Sequence, residues 1–192
     1  LIVRAIVKSI CDTNDALRVR FPQLTVSLSP DVTFITSQEL EDMYPTLTPG
    51  QREDALLREH RTAFIMQIGG RLRSGKPHDG RAPDYDDWQL NGDLFFWDDV
   101  LGRALEISSM GIRVDAESLD RQLTLAGCDD RRALPFHQML LRDELPLTIG
   151  GGIGQSRLCM LMMGCAHIGE VQSSLWDTET VAVCEAAGVR LL

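Results

Sequence analysis

Thr148-Ile149-Gly150-Gly151-Gly152-Ile153-Gly154-Gln155-Ser156-Arg157-Leu158 (TIGGGIGQSRL) is the most informative stretch of this 192-residue chain. It is not a dinucleotide fingerprint, since GxGxxG read from Gly150 needs glycine at position 155, where Gln155 stands. It has no GK[ST] either, so it is not a Walker A loop. A strand signal, Leu147-Thr148-Ile149, leads into the glycine run, and a helix signal from Gln155 to Met163 leads out. Gly150, Gly152 and Gly154 recur at period two, which on a strand places all three on one face. A face without side chains lets a flat ligand lie against the backbone. Arg157 adds a planar guanidinium where a helix start already favours anions. A glycine-rich turn beside a surface arginine fits the same residues equally well.

Working outward, residues 92–110 read as a hairpin. Leu94 to Trp97 is one strand, Asp98 to Gly102 the turn and Ala104 to Ser108 the return. Asp93 and Glu106 are nearly equidistant from the turn and are expected to sit opposite each other on one face. Opposed carboxylates destabilise a sheet unless a cation lies between them. Mg²⁺, which takes oxygen ligands and phosphates, suits such a place. A register slip of one residue would leave two exposed carboxylates instead. Ser108-Ser109-Met110-Gly111-Ile112-Arg113 then brings hydroxyls and a cation suited to a carboxylate or phosphate. Upstream, Arg81-Ala82-Pro83-Asp84-Tyr85-Asp86-Asp87-Trp88 packs three acids into four residues. These read either as ligands for a metal or amine or as a solvated acidic loop. The basic segment 71–81 reads as a cover for phosphates or as a solvated loop.

The rest supplies a frame. Ile2, Ile6 and Ile10 recur every four residues in a helix over 1–20, and Val32 to Ile35 is a short strand. Ser37 is expected to cap a helix through Met43, and Thr48-Pro49 opens another reaching about Arg61. Ala63 to Ile68 reads as a buried strand and 69–92 as loop. Asp115 caps a helix ending at Gly127, and 131–143 forms another. Helices and hairpins in this order indicate an α+β fold.

By length the chain reads as one domain. A hydrophobic content of 44% with 24% charged residues fits an ordinary globular protein. A net charge of −9 argues against non-specific nucleic-acid or anionic-membrane binding as the main activity. No apolar run reaches the roughly 18 residues of a membrane span. The segment before Cys11 lacks a signal peptide's apolar core and cleavage site. Cys11, Cys128, Cys159, Cys165 and Cys184 form no metal or disulfide framework, which indicates reduced thiols in a cytosolic setting.

Four segments in order, APDYDDW (82–88), LNGDLFFW (90–97), LEISSMGIRVD (105–115) and TIGGGIGQSRL (148–158), closely resemble ammonia-dependent asparagine synthetase. This is an aspartate–ammonia ligase family related to class II aminoacyl-tRNA synthetases. The likeness runs from about Phe34 to Trp176 and makes the glycine run class II motif 3. It implies a class II synthetase-like antiparallel sheet flanked by helices. It also implies that aspartate and ATP form β-aspartyl-AMP, which ammonia converts to asparagine. Asp86 is then an acid near the substrate and the incoming amine. Ser109 and Arg113 contact aspartate, and Arg157, with Gly152 and Gly154, holds the nucleotide. Asp93 and Glu106 are nucleotide-side acids and Mg²⁺ ligands. The family resemblance further implies a cytoplasmic homodimer.

Family members carry a long portion ahead of the position of Leu1, with motif 1 and the motif 2 arginine. On that pattern residues 1–192 are expected to be the C-terminal part of a single catalytic domain, with apolar surface left without a partner. Between Trp88 and Leu90 only Gln89 stands where the family has a longer loop. A non-catalytic class II-like nucleotide-binding paralogue and an aminoacyl-tRNA synthetase are the alternative readings.

Overall fold

The computed structural model describes residues 1–192. Helix α1 (Ile2–Arg20) buries Val7, Ile10, Cys11 and Asn14 and is followed by strand β1 (Thr33–Thr36). Helix α2 (Ser37–Met43) is capped by Thr36 rather than by Ser37. Thr36 accepts from the Glu39 N–H while Glu39 returns a bond to the Thr36 N–H, so both end donors are satisfied. The Ser37 hydroxyl donates instead to the Gln67 carbonyl at 2.6 Å. Helix α3 (Pro49–His60) has the expected Thr48 cap and leads into β2 (Thr62–Met66).

The long hairpin consists of β3 (Asp86–Asp98) and β4 (Arg103–Arg113). Strand β3 therefore begins inside the segment expected to be loop. The Asp98 carboxylate closes the turn by accepting the N–H groups of Val100 and Leu101. Helix α4 (Ala116–Ala126) starts at the Asp115 cap and stops at left-handed Gly127, as expected. The helix expected over 131–143 is split into a 3₁₀ turn, Asp129–Ala133, and helix α5 (Pro135–Leu141). Pro135 is the cause, because the residue before proline is driven out of the helical region, and Leu134 sits at φ −72°, ψ 143°. Strand β5 (Ile149–Ile153) is the glycine run itself, and α6 (Gln155–Met163) and α7 (Thr178–Ala186) complete the chain.

The five strands lie in sequence order, β1-β2-β3-β4-β5. All neighbours are antiparallel except β1 and β2, which are parallel and joined through α2 and α3. The alternation of side chains divides the sheet into two faces. On one, Phe64, Leu94, Phe96 and Ile107 pack with Val7 and Ile10 of α1 and Leu161 and Met162 of α6. On the other, Ile35, Ala63, Ile65 and Phe95 pack with Leu40 of α2 and Leu56 and Leu57 of α3. This second cluster also takes in Phe95 of β3 and Ala104 of β4 next to the turn, but no residue of β5, so polar groups gather on the remainder of that face.

At the far end α4 fastens the start of β3. The Gln122 side chain is wholly buried; it accepts the Trp88 N–H at 2.8 Å and donates to the carbonyls of Pro83 (2.9 Å) and Asp86 (3.0 Å). Replacing it with an apolar residue of similar size strands three buried backbone groups. An unmet buried partner costs about 1–3 kcal/mol. Gln122→Leu is therefore expected to lower the unfolding free energy by more than about 2 kcal/mol in urea denaturation.

Candidate active site

Three rows of residues cross the open face. Register places Asp93 opposite Ser109 and Ser109 opposite Gly152. Asn91, Gly111 and Gly150 form the next row, and Phe95 faces Glu106 on the other side. Glu106 is thus not directly opposite Asp93, as the distances from the turn suggested, but diagonal to it on the same face. A bulge in β4 causes the difference. The register slips between Leu94–Ser108 and Phe95–Glu106, leaving Ile107 unpaired. The Ile107 side chain joins the core on the opposite face, and its carbonyl accepts the Gly154 N–H at 2.8 Å. Gly154 lies just past β5, as the residue preceding α6. Ser108 pairs with Leu94 and points away from the open face, whereas Ser109 stays on it.

Each carboxylate on this face meets an arginine. Arg157, on the first turn of α6, lies 3.3 Å from the Glu106 carboxylate and donates to the Glu106 carbonyl at 3.1 Å. Burial raises the Glu106 pKa, and the nearby Asp93 charge adds to the effect. Arg81 bridges the Asp93 carboxylate (2.6 Å) and the Ser109 hydroxyl (2.8 Å). Asp86, fully buried at the start of β3, pairs with Arg113 across the ladder, and its second oxygen has no partner. Arg113 also donates to the Tyr85 hydroxyl at 2.9 Å and lies 3.9 Å from that ring's centre.

The glycines make room for these groups. A Cβ on Gly150 would come within 2.8 Å of the Arg113 guanidinium carbon, whereas one on Gly152 would meet nothing within 4 Å. Gly152, Gly154, Ser109, Glu106 and Arg157 share a cavity of about 540 Å³ with Tyr85. A second cavity, about 350 Å³, brings Asp93, Glu106 and Arg157 together with Glu53, His78 and Arg103.

The sequence-derived candidates therefore meet on one face: Asp93, Glu106, Ser109, Gly152, Gly154 and Arg157 directly, with Asp86 and Arg113 at the rim. The acidic segment is not a solvated loop. Asp84 accepts from His137 and Arg131, Asp86 holds Arg113, and Asp87 lies 3.5 Å from Arg121. Glu53 was not singled out by sequence reasoning, and Arg81 and His78 were marked only as parts of the basic segment 71–81, read as a phosphate cover or a solvated loop. The fold brings that loop back across the sheet.

The two-carboxylate set on this face suits a divalent cation. Mg²⁺ is commonly held by one or two carboxylates together with phosphate oxygens and water.

A family model described as aspartate-ammonia ligase matches residues 1–188. The chain is 58% identical to an aspartate–ammonia ligase of Levilactobacillus brevis over 190 residues, 99% of the chain and 57% of that relative. It is 56% identical to one of Clostridium tetani over 191 residues, 100% of the chain and 56% of the relative. The chain thus spans a little over half the length of the curated relatives it matches. Among solved structures, an aspartyl-tRNA synthetase of Entamoeba histolytica superposes with a TM-score of 0.61 at 17% identity, over 88% of this chain and 39% of that one. An asparaginyl-tRNA synthetase of Pyrococcus horikoshii gives 0.58 at 18% identity, over 85% of this chain and 41% of that one. These likenesses establish the α+β class II synthetase-like fold, with its sheet antiparallel apart from the β1–β2 pair. With that fold, the matched residues 1–188 and relatives of this identity across essentially the whole chain, the protein belongs to the aspartate–ammonia ligase family.

Proposed function

We propose that the polypeptide of which these residues form a part makes asparagine from aspartate, ATP and ammonia. The observation that carries this reading is the gathering of Asp93, Glu106, Ser109, Arg113 and Arg157 on one open sheet face, in a chain of this family. In the first step an oxygen of the aspartate β-carboxylate bonds to the α-phosphorus of ATP. The α–β anhydride bond breaks and pyrophosphate leaves. Ammonia then attacks the acyl carbon of β-aspartyl-AMP, the acyl–oxygen bond breaks, AMP leaves and the nitrogen gives up a proton.

Arg157 binds the nucleotide over the bare backbone of Gly152 and Gly154, where a guanidinium serves either as a phosphate fork or as a plane to stack on. Ser109 and Arg113 contact aspartate. Asp86 orients Arg113 with one oxygen and is the acid near the substrate and the incoming amine. Asp93 and Glu106 would hold Mg²⁺, which supplies charge neutralisation at the phosphates when bound. Holding aspartate and nucleotide in fixed alignment replaces a bimolecular encounter with a unimolecular step. No helix of the chain is long and apolar enough to cross a membrane. Residues 1–192 act as the C-terminal part of a single catalytic domain, in a cytoplasmic homodimer.

The direct test incubates the full-length polypeptide with aspartate and ATP, with and without ammonium. Asparagine, AMP and pyrophosphate formed together only with ammonium support the ligase. Charging of tRNA would instead select the synthetase reading, and nucleotide binding without turnover the non-catalytic one.

Two substitutions probe the geometry. Gly150→Ala puts a methyl group into the Arg113 guanidinium. A displacement near 1 Å at a reacting site costs about a hundredfold in rate. kcat/KM for aspartate should fall by about that factor, with the KM for ATP near wild type. For Glu106 the folded-state pKa lies above the unfolded one. Its ionised form therefore costs stability, a penalty present above the folded pKa and absent below the unfolded value of about 4.3. Glu106→Gln should raise the unfolding temperature near neutral pH, lose that gain below about pH 4, and abolish turnover.

A further inference from the structure

The loop between β2 and β3 crosses the open face, and Arg81 is the last cation of its basic segment 71–81. Arg81 projects from it between the Asp93 carboxylate and the Ser109 hydroxyl, at 2.6 and 2.8 Å. Its side chain is mostly buried. Its Nε–H is wholly buried and has no acceptor. A buried unpartnered donor is rare in a folded protein and calls for an acceptor that something else supplies. Its partner Asp93 lines the second cavity together with Glu106 and Arg157.

What holds Arg81 there is visible three residues earlier. His78 is buried at 3% exposure, in a loop whose charged neighbours are mostly exposed. Its Nε2 lies 3.0 Å from a carboxylate oxygen of Glu53, on α3. Facing a carboxylate, Nε2 carries the hydrogen and donates it. Upstream the loop is tied to α2, where the Ser74 hydroxyl donates to Glu41 at 2.7 Å. Downstream, the next ties are those of Trp88 and Gln122 to Ala82 and Pro83. Between Ser74 and Ala82, the His78–Glu53 bond is the side-chain attachment to a helix, and Gly80 next to Arg81 has no side chain to wedge the loop in place.

We propose that Arg81 binds the polyphosphate of the nucleotide and that Glu53 and His78 are positioning residues that hold Arg81 over the site. This rests on the ligase reading above. It adds a second guanidinium to that of Arg157, one paired with Asp93 and the other with Glu106 on the same face, so that anionic oxygens meet two cations. The Nε–H of Arg81 is the free donor, and Asp93 fixes the plane of the fork until the phosphates arrive.

The test uses the full-length enzyme with Arg81→Ala, His78→Asn, His78→Gln and the His78→Asn/Arg81→Ala double variant. A charge-assisted bond lost at a phosphate changes affinity about tenfold or more. Arg81→Ala and His78→Asn should each raise the KM for ATP by about that factor, with the KM for aspartate changed less than about twofold. A glutamine amide reaches the position of Nε2, whereas an asparagine amide reaches only that of Nδ1. His78→Gln should therefore return the KM for ATP to within about threefold of wild type. The double variant should be no worse than Arg81→Ala alone, because His78 acts through Arg81.

Multiplying effects in the double variant, equal defects in the two His78 variants, or an unchanged KM for ATP in Arg81→Ala would each overturn the proposal. Failure of the wild type to make asparagine would count against the ligase reading instead. Equilibrium binding of ATP to the same variants then still reads Arg81 and His78.

Discussion

One extra residue in β4 sets the chemistry of the open face. Glu106 and Ser109 are three positions apart, so a regular strand would put them on opposite sides of the sheet. The bulge at Ile107 absorbs one residue and brings both to the side of Asp93. The same residue anchors two other parts of the molecule. Its side chain fills the core beneath, and its carbonyl receives the Gly154 N–H, which fixes where α6 begins. Arg157 is carried on the first turn of α6 and meets Glu106 through both carboxylate and carbonyl. A bulge bends and twists its strand as well as shifting register, which is why bulges recur beside functional sites.

Bringing these carboxylates together carries an electrostatic cost that the arginines offset. Asp93 with Arg81, Glu106 with Arg157 and Asp86 with Arg113 form three couples within one patch. The couples differ in burial. Asp86 is fully buried, so its pairing is a condition of folding, since removing one partner of a buried pair is strongly destabilising. The Glu106–Arg157 pair is partly exposed and contributes little to stability. The Glu106–Arg157 couple can therefore open at small cost, while the buried Asp86 couple keeps Arg113 aimed.

Much of this was legible in the sequence where a residue type has a local mechanism. The Thr48 and Asp115 caps, the Gly127 stop and the Asp98 turn follow from hydrogen bonds within four residues. The period-two spacing correctly placed Gly150 and Gly152 on one face of a strand, while Gly154 lies just past its end. The miss at Ser37 was a choice between adjacent hydroxyls, decided by the long-range pull of the Gln67 carbonyl. The expected direct opposition of Asp93 and Glu106 failed because a bulge leaves no mark in residue spacing. The basic segment 71–81 left phosphate cover and solvated loop open, and Arg81 and His78 did not stand out within it because their partners, Asp93 and Glu53, lie 12 and 25 residues away. Only the relatives' motifs made the acidic segment at 84–87 distinctive; its pairing with Arg131, His137, Arg113 and Arg121 required the fold.

Strand β5 shows how such a site accepts poor strand formers. Glycine in a strand costs about 0.5–1 kcal/mol relative to alanine, so three in succession cost about 1.5–3 kcal/mol. Each has its own reason. Gly150 leaves the space that the Arg113 guanidinium occupies. Gly151 faces the other side, where a Cβ would come within 2.7 Å of Met110. Gly152 has open space above it and is not required by packing at all. Of the three it is the one whose lack of a side chain no neighbouring atom of the chain requires. At the edge of the sheet, where β5 pairs with β4 alone, the lost stability is carried by the long β3–β4 hairpin beneath. The glycine strand thus sits at the edge of the sheet, while the charged groups of the site stand on the hairpin beside it.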